Sequence, residues 1–284
     1  MPCLLPLRAA PGYDPGMPYA NLGAIEIYWE RQGQGPPLLF ISGTGGDLRN
    51  RPGALDGPLT DRFDVVAYDQ RGMGRSGKPD IPYTMADYGD DAAALMAHVG
   101  WDDALVIGVS FGGMVAQELV LRHPQRVRRL VLACTSPGGA GGASFAFHEI
   151  AHLTGEARAR HMIPITDTRR DETWARANRD AMQELVLMGS ADPFADEPGH
   201  VAGARRQLAA RAKHDTWDRL GAISCPVLIA AGRYDGIALP ETQHRLAGRI
   251  PGAELQFFEG GHLFTMQDPA ATPAIMDFLA GGQV

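Results

Sequence analysis

The sequence predicts an α/β protein with a mostly parallel central sheet, helices on both of its faces, and a helical insertion. Three observations carry this expectation. Short, mainly apolar runs (Leu38 to Ile41, Val65 to Tyr68, Ala104 to Val109, Val127 to Ala133 apart from Arg128 and Arg129, Pro226 to Ala231, and Leu255 to Phe258 apart from Gln256) alternate with helical patterns. Strands apolar on both faces belong to a parallel sheet covered on both sides. Between Pro137 and about Leu220 the alternation stops and amphipathic patterns replace it, so residues 138–219 read as an insertion into a core made of 17–137 and 220–284. At Gly108-Val109-Ser110-Phe111-Gly112 a strand turns sharply into a helix, with glycine two residues to either side of a serine.

Taken in order, residues 1–16 hold a short apolar piece broken by Pro2, Pro6, Pro11 and Pro15, and the only basic residue, Arg8, follows it. This does not read as a signal peptide, and a disordered extension or an upstream start before Met17 is expected. Ile25, Ile27 and Trp29 alternate with Glu26, Tyr28 and Glu30 as in a half-exposed strand, closed by a turn at Gly33-Gln34-Gly35-Pro36. The apolar run at 38–41 enters Ser42-Gly43-Thr44-Gly45-Gly46, whose small residues let backbone N–H groups face something close by. The run at 65–68 leads into Asp69-Gln70-Arg71-Gly72-Met73-Gly74-Arg75-Ser76, expected to be a tight, internally hydrogen-bonded loop. Thr84 with Asp87 marks a helix start, Tyr88, Ala92, Leu95 and Val99 its apolar face, and Gly100 its end. The helix after Ser110 carries Met114, Val115, Leu119 and Val120 inward and stops at His123-Pro124. In the insertion, the glycines of 138–142 are expected to act as a hinge or linker. Trp174, Ala177, Ala181, Leu185 and Met188 are predicted to share one face of one helix, and Val201, Ala204, Leu208 and Ala212 one face of another. A last helix is expected after Pro273.

Composition narrows the function. The 284 residues, 45% of them hydrophobic, can bury a large core. A formal net charge of −7 without any lysine or arginine run argues against a nucleic-acid partner. Cys3, Cys134 and Cys225 are too few and scattered for a disulfide framework, which favours a reducing, cytoplasmic compartment and a buried, hydrophobe-like role for the last two. No stretch approaches the length that spans a bilayer.

An activated serine needs a base and a group to orient that base. Asp235 follows the strand at 226–231, and His262 follows the strand at 255–258 through Glu259-Gly260-Gly261. In a parallel sheet these loops leave the same edge, so Ser110, Asp235 and His262 can meet although they are far apart in sequence. Taken singly, each has a plainer reading: an idle serine in a glycine-rich connection, a turn or capping aspartate, a surface histidine. Their joint placement at strand ends is what favours chemistry.

With these residues in hand, the chain resembles the α/β-hydrolase fold family over roughly Leu22 to Leu279. The matching parts are the elbow Gly108 to Gly112, the Asp69-x-Arg71-Gly72-x-Gly74-x-Ser76 loop, Gly232-x-x-Asp235, and Gly261-His262. The resemblance implies a triad of Ser110, His262 and Asp235, an oxyanion held by the N–H groups of Phe111 and Thr44, no cofactor and no metal, and a helical cap over the site. The inner face of that cap would supply a largely apolar substrate roof, with Phe145, Phe147, Leu153, Met162 and Ile163 as candidates and Trp174 more a packing residue. Met182 and Met188 would lend the roof adaptability. Many relatives carry His-Gly where this chain has Ser42-Gly43. Enol-lactonases of the 3-oxoadipate pathway often lack that histidine too, which tilts the expected substrate toward a lactone or activated ester, small to medium in size and without a required charge. A carbon–carbon bond hydrolase, an acyltransferase or a perhydrolase would use the same triad, and a ligand-binding member of the fold could retain it. Monomer and homodimer are both open. A rival chemistry comes from His148-Glu149-Ile150-Ala151-His152, which matches the zinc-protease pattern if helical, although Arg158 stands where its third ligand is expected.

Overall fold

The computed structural model describes residues 18–282, and the extension expected over residues 1–16 lies outside the described residues. Along the chain run β1 (Tyr19–Asn21), β2 (Glu26–Gln32), β3 (Pro37–Ile41), α1 (Leu59–Arg62), β4 (Asp64–Tyr68), α2 (Met85–His98), β5 (Ala104–Val109), α3 (Phe111–Arg122) and β6 (Val127–Ala133). Next come α4 (Gly155–Thr166), α5 (Glu172–Ala177), α6 (Arg179–Ser190) and α7 (His200–Arg211). Then follow β7 (Val227–Gly232), α8 (Pro240–Arg249), β8 (Glu254–Phe258), α9 (Phe264–Gln267) and α10 (Ala271–Leu279).

The strands form one sheet in the order β1-β2-β4-β3-β5-β6-β7-β8. Neighbours from β4 to β8 are parallel, while β2 pairs antiparallel with both β1 and β4. Because β4 lies on one side of β3 and β5 on the other, the loops leaving β3 and β5 diverge and open a crevice at the carboxyl edge. Residues 42–46 and Ser110 emerge there.

Alternation along the central strands explains why their runs are apolar on both faces. Leu39, Ile41, Val106, Leu130 and Ile229 face the cluster under α2, α3 and α8, while Leu38, Leu105, Ile107, Val131 and Leu228 face the one under α10. Helix α2 starts as its sequence predicts: the Thr84 hydroxyl accepts from Asp87 N at 3.1 Å and the Asp87 carboxylate accepts from Thr84 N at 2.8 Å. The loop at 69–76 is held from within and below. Asp69 accepts from Leu48 N and Arg75 N, and Arg71 is bidentate on Asp91 of α2 at 2.7 Å.

The region between β6 and β7 departs from its predicted detail in four places. The helix expected across 174–188 breaks at Asn178, whose φ of −126° and ψ of 54° are not helical, and Met188 beyond the break is 74% exposed. Helix α7 turns Gly203, Gln207, Ala210 and Arg211 inward and leaves Val201 exposed, so its buried side is not the one the apolar spacing marks. The reason is that α7 packs on polar loop backbone rather than on an apolar sheet. The glycines at 138–142 are a close-packed crossing, since a Cβ at Gly138 would stand 1.9 Å from His214 O and one at Gly141 2.2 Å from the Trp217 ring. Finally, residues 147–152 form successive turns and helix begins only at Gly155, so His148 and His152 do not share a helical face. At the other end of the chain, α10 starts before Pro273 and holds it in the first turn, where a missing N–H costs nothing.

Candidate active site

Ser110 joins β5 to α3 with φ 54° and ψ −113°, a positive φ in a residue with a side chain. Such backbone persists only where its surroundings over-determine it. Here Ser110 N donates to Ala133 O at 2.8 Å, and Ser110 O accepts from Thr135 Oγ1 at 2.7 Å and Gly113 N at 2.9 Å. The flanking glycines are steric requirements of the same turn. A Cβ at Gly108 would lie 2.4 Å from Gly112 O, and one at Gly112 would lie 2.0 Å from Ile41 O.

His262 receives what the spacing of loops predicts. Its Nε2 lies 2.9 Å from Ser110 Oγ and its Nδ1 lies 2.8 Å from Asp235 Oδ2. Asp235 is 1% exposed, and its other oxygen accepts from Ile237 N at 2.7 Å and Ala238 N at 3.0 Å. Both loops are tied to the end of α4 by backbone hydrogen bonds: His262 N to Thr166 O at 2.7 Å, Gly236 N to Ile165 O at 3.0 Å and Thr168 N to Tyr234 O at 2.9 Å. Behind the pair, Cys134 brings its sulfur within 4.8 Å of the Asp235 and His262 ligand atoms. Burial, with the Asp235 charge adding to it, pushes the Cys134 thiol well above its ordinary range, so it stands there as a neutral group.

Phe111 opens α3, so its N–H has no partner within the helix, and the dipole's positive end lies at Ser110. The loop after β3 runs alongside: a Cβ at Gly43 would sit 3.6 Å from Ser110 Cβ. Two α7 side chains hold this loop. Gln207 Oε1 accepts from Gly45 N at 2.8 Å, and Arg211 Nη1 donates to Thr44 Oγ1 at 2.6 Å. A serine, a histidine and a buried carboxylate in one hydrogen-bonded chain, beside the N-terminus of α3 at the sheet edge, form an arrangement that could carry acyl transfer.

The family model of the alpha/beta hydrolase fold matches residues 36–269. RutD of Caulobacter vibrioides, which carries the name of a carbamate hydrolase, is 34% identical over 260 residues, covering 86% of this chain and 90% of its own. This chain belongs to the α/β-hydrolase fold family. 3-Oxoadipate enol-lactonase 2 of Acinetobacter baylyi is 27% identical over 258 residues, covering 91% of this chain and 90% of the lactonase. The crystal structure of the enol-lactonase from Burkholderia xenovorans LB400 superposes with a TM-score of 0.76 at 24% identity, over 93% of this chain and all of that one (100%), and shares its fold. The relatives are hydrolases, and hydrolysis is the activity class of this chain. No helix among the described residues is long and apolar enough to cross a membrane.

Within this α/β-hydrolase the expected roof residues separate. Phe145 and Phe147 meet edge to face at 5.2 Å and line a cavity beside Met114, and Phe145 N donates to Ile237 O in the acid loop at 2.8 Å. Ile163 instead packs with Ala159 and Val186 in an apolar cluster between α4 and α6, with Met182 against it. Leu153 and Met162 do not line that cavity. Sequence reasoning missed Gln207, Arg211 and the segment at 165–168. The only sign of the first two was a pair of polar residues at helical spacing on α7.

Proposed function

We propose that this α/β-hydrolase cleaves a small to medium carboxylic ester or lactone through an acyl-enzyme on Ser110. The observation that carries the reading is the continuous hydrogen-bonded chain from Ser110 Oγ through His262 to Asp235, closed at 2.9 and 2.8 Å. In it His262 Nε2 accepts the Oγ proton as the oxygen attacks the substrate carbonyl. The oxyanion that forms is held by the N–H groups of Phe111 and Thr44. Collapse breaks the bond to the leaving oxygen, which takes the proton from His262 and departs as an alcohol, or stays tethered when the substrate is a lactone. Water then attacks the acyl-enzyme, gives its proton to His262, and releases the acid with Ser110 restored. Asp235 keeps Nδ1 protonated and stabilises the imidazolium in both halves.

The helices α4 to α7 act as the cap over the site, with Phe145 and Phe147 in its roof. The name of the 3-oxoadipate enol-lactonase relative supports a lactone among the substrates. The test is labelling with a fluorophosphonate, read by mass spectrometry, alongside Ser110→Ala. We expect adduct on Ser110 and a loss in kcat of about 10⁴-fold or more in a folded variant. Unlabelled, fully active protein would overturn the reading.

A further inference from the structure

Two arginines are buried among the described residues, and they differ in their company. Arg71, 6% exposed, is matched by the Asp91 carboxylate. Arg211, 7% exposed, has no carboxylate within ion-pair distance among the described residues. It donates instead to two neutral hydroxyls, Thr44 Oγ1 at 2.6 Å and Ser144 Oγ at 2.7 Å, and its Cζ stands 4.4 Å from the Phe147 ring centroid. Burial lowers its pKa to about 10, which still leaves it charged at neutral pH. The one carboxylate near enough to act on it through space, Asp235, already has both oxygens engaged. A buried cation without an anion is costly, and folded proteins keep one where something else supplies the anion.

The space around Arg211 suits that role. It borders a cavity of about 80 Å³ whose walls mix apolar side chains (Met114, Phe145, Phe147) with Ser136, Ser144, His148 and His214, and Arg211 is the one arginine or lysine among them. His214 is buried with both ring nitrogens unpartnered. Ser110 and His262 do not line this cavity; the links to the serine are Arg211 itself, which holds Thr44 on the loop beside Ser110, and Met114, one turn beyond Ser110 on α3. The volume limits an occupant to a small group.

We infer that Arg211 anchors a carboxylate carried by the substrate, which makes this enzyme selective for anionic esters or lactones. The inference rests on Ser110 being the nucleophile, and it replaces the expected roof without charge by an apolar one with a single guanidinium in it. A planar guanidinium with neutral partners exchanges a hydroxyl for a carboxylate oxygen and gains a charge-assisted bond.

The experiment compares matched substrates that differ only in the carboxylate. Mono-p-nitrophenyl glutarate is set against p-nitrophenyl valerate for a charge on the acyl side, and 4-acetoxybutyrate against butyl acetate for a charge on the leaving side. In the wild-type enzyme one pair should favour the anion by roughly ten- to hundred-fold in kcat/KM. Arg211→Gln should bring that ratio to about one, and Arg211→Lys should retain part of it. Glutarate should slow fluorophosphonate labelling of wild-type Ser110, a readout that needs no variant. If Ser110 labels and neutral esters react as fast as their anionic partners, the anchor is wrong while the serine hydrolase reading stands. An equal loss for both members of each pair in Arg211→Gln, with the ratio unchanged, would likewise reduce Arg211 to a strut between Thr44 and Ser144. Absence of labelling together with absence of ester cleavage would remove the nucleophile and the anchor with it.

Discussion

Asp235→Asn is the substitution whose cost the geometry sets most tightly. One Asp235 oxygen accepts from Ile237 N and Ala238 N, and the other meets His262 Nδ1. Asparagine has a single acceptor oxygen, and turning its NH₂ toward two backbone donors would leave both of them unpaired. The amide oxygen therefore takes the place facing the backbone, and the NH₂ faces Nδ1. That makes Nδ1 the acceptor, moves the ring proton to Nε2, and aims it at Ser110 Oγ, where a base is required. The imidazolium also loses an opposite charge at 2.8 Å, worth roughly 6 kcal/mol at an effective dielectric near 20. At about 1.36 kcal/mol per decade this corresponds to a rate loss of about 10⁴-fold, which agrees with what a wrong tautomer costs a serine triad. Because the two backbone hydrogen bonds survive, Tm should hardly move. The measurement is kcat/KM on a p-nitrophenyl ester near neutral pH, with circular dichroism and a thermal melt on the same preparation. A folded variant within tenfold of wild type would show that Asp235 does not orient the base.

Four further outcomes follow from other parts of the structure. His214 is pushed down to about 4 by burial, so between that value and the unfolded value near 6.5 the unfolded state binds the extra proton; stability should be full above pH 6.5 and fall by about 3 kcal/mol as pH drops toward 4, a slope that His214→Phe removes in denaturant titrations if the fold holds. Gly203→Ala would place a Cβ 1.9 Å from Gly72 O, so α7 should be pushed off its loop, with a loss of about 1 to 3 kcal/mol in stability and a larger loss in kcat/KM than in Tm-matched surface variants. Phe145→Ala or Phe147→Ala should reorder esters by acyl size while leaving labelling of Ser110 by a small phosphonate intact; an unchanged order would take both out of the roof. Incubation with EDTA or phenanthroline should leave ester hydrolysis unchanged, and loss of activity that zinc restores in wild type but not in His148→Ala would favour metal chemistry.

The core was legible because a buried parallel strand has one simple requirement, apolar side chains on both faces, and the runs at 38–41, 65–68, 104–109 and 226–231 meet it, while 127–133 meets it only from Leu130 on and the half-buried edge strand at 254–258 only in part. The site was legible for a related reason. The positive φ at Ser110 and the close contacts at Gly108 and Gly112 leave glycine as the residue that fits, so the backbone geometry is written into residue types. Asp235 and His262 needed only their positions after β7 and β8. None of this depended on knowing which side chain packs on which.

The region between β6 and β7 was harder for a physical reason that bears on its function. Apolar spacing reports the side of a helix that packs on apolar surface, and for α7 it marked Val201, Ala204 and Leu208. That helix lies instead over the loops at 43–46 and 72, whose exposed groups are N–H, C=O and hydroxyl. Its inner side must therefore be small, as at Gly203, or able to hydrogen bond, as at Gln207 and Arg211. A helix that covers polar loop backbone inverts the usual pattern, and its polar residues at i and i+4 are the ones facing inward. The break at Asn178 was hidden likewise, because Met182, Leu185 and Val186 of α6 pack on Ala159 and Ile163 of α4 whether or not the helix continues back to Trp174. Apolar spacing is likewise silent about the mismatch between the buried Arg211 guanidinium and its neutral partners Thr44 and Ser144, because it records where apolar side chains pack and not where a charge is left without a counter-ion.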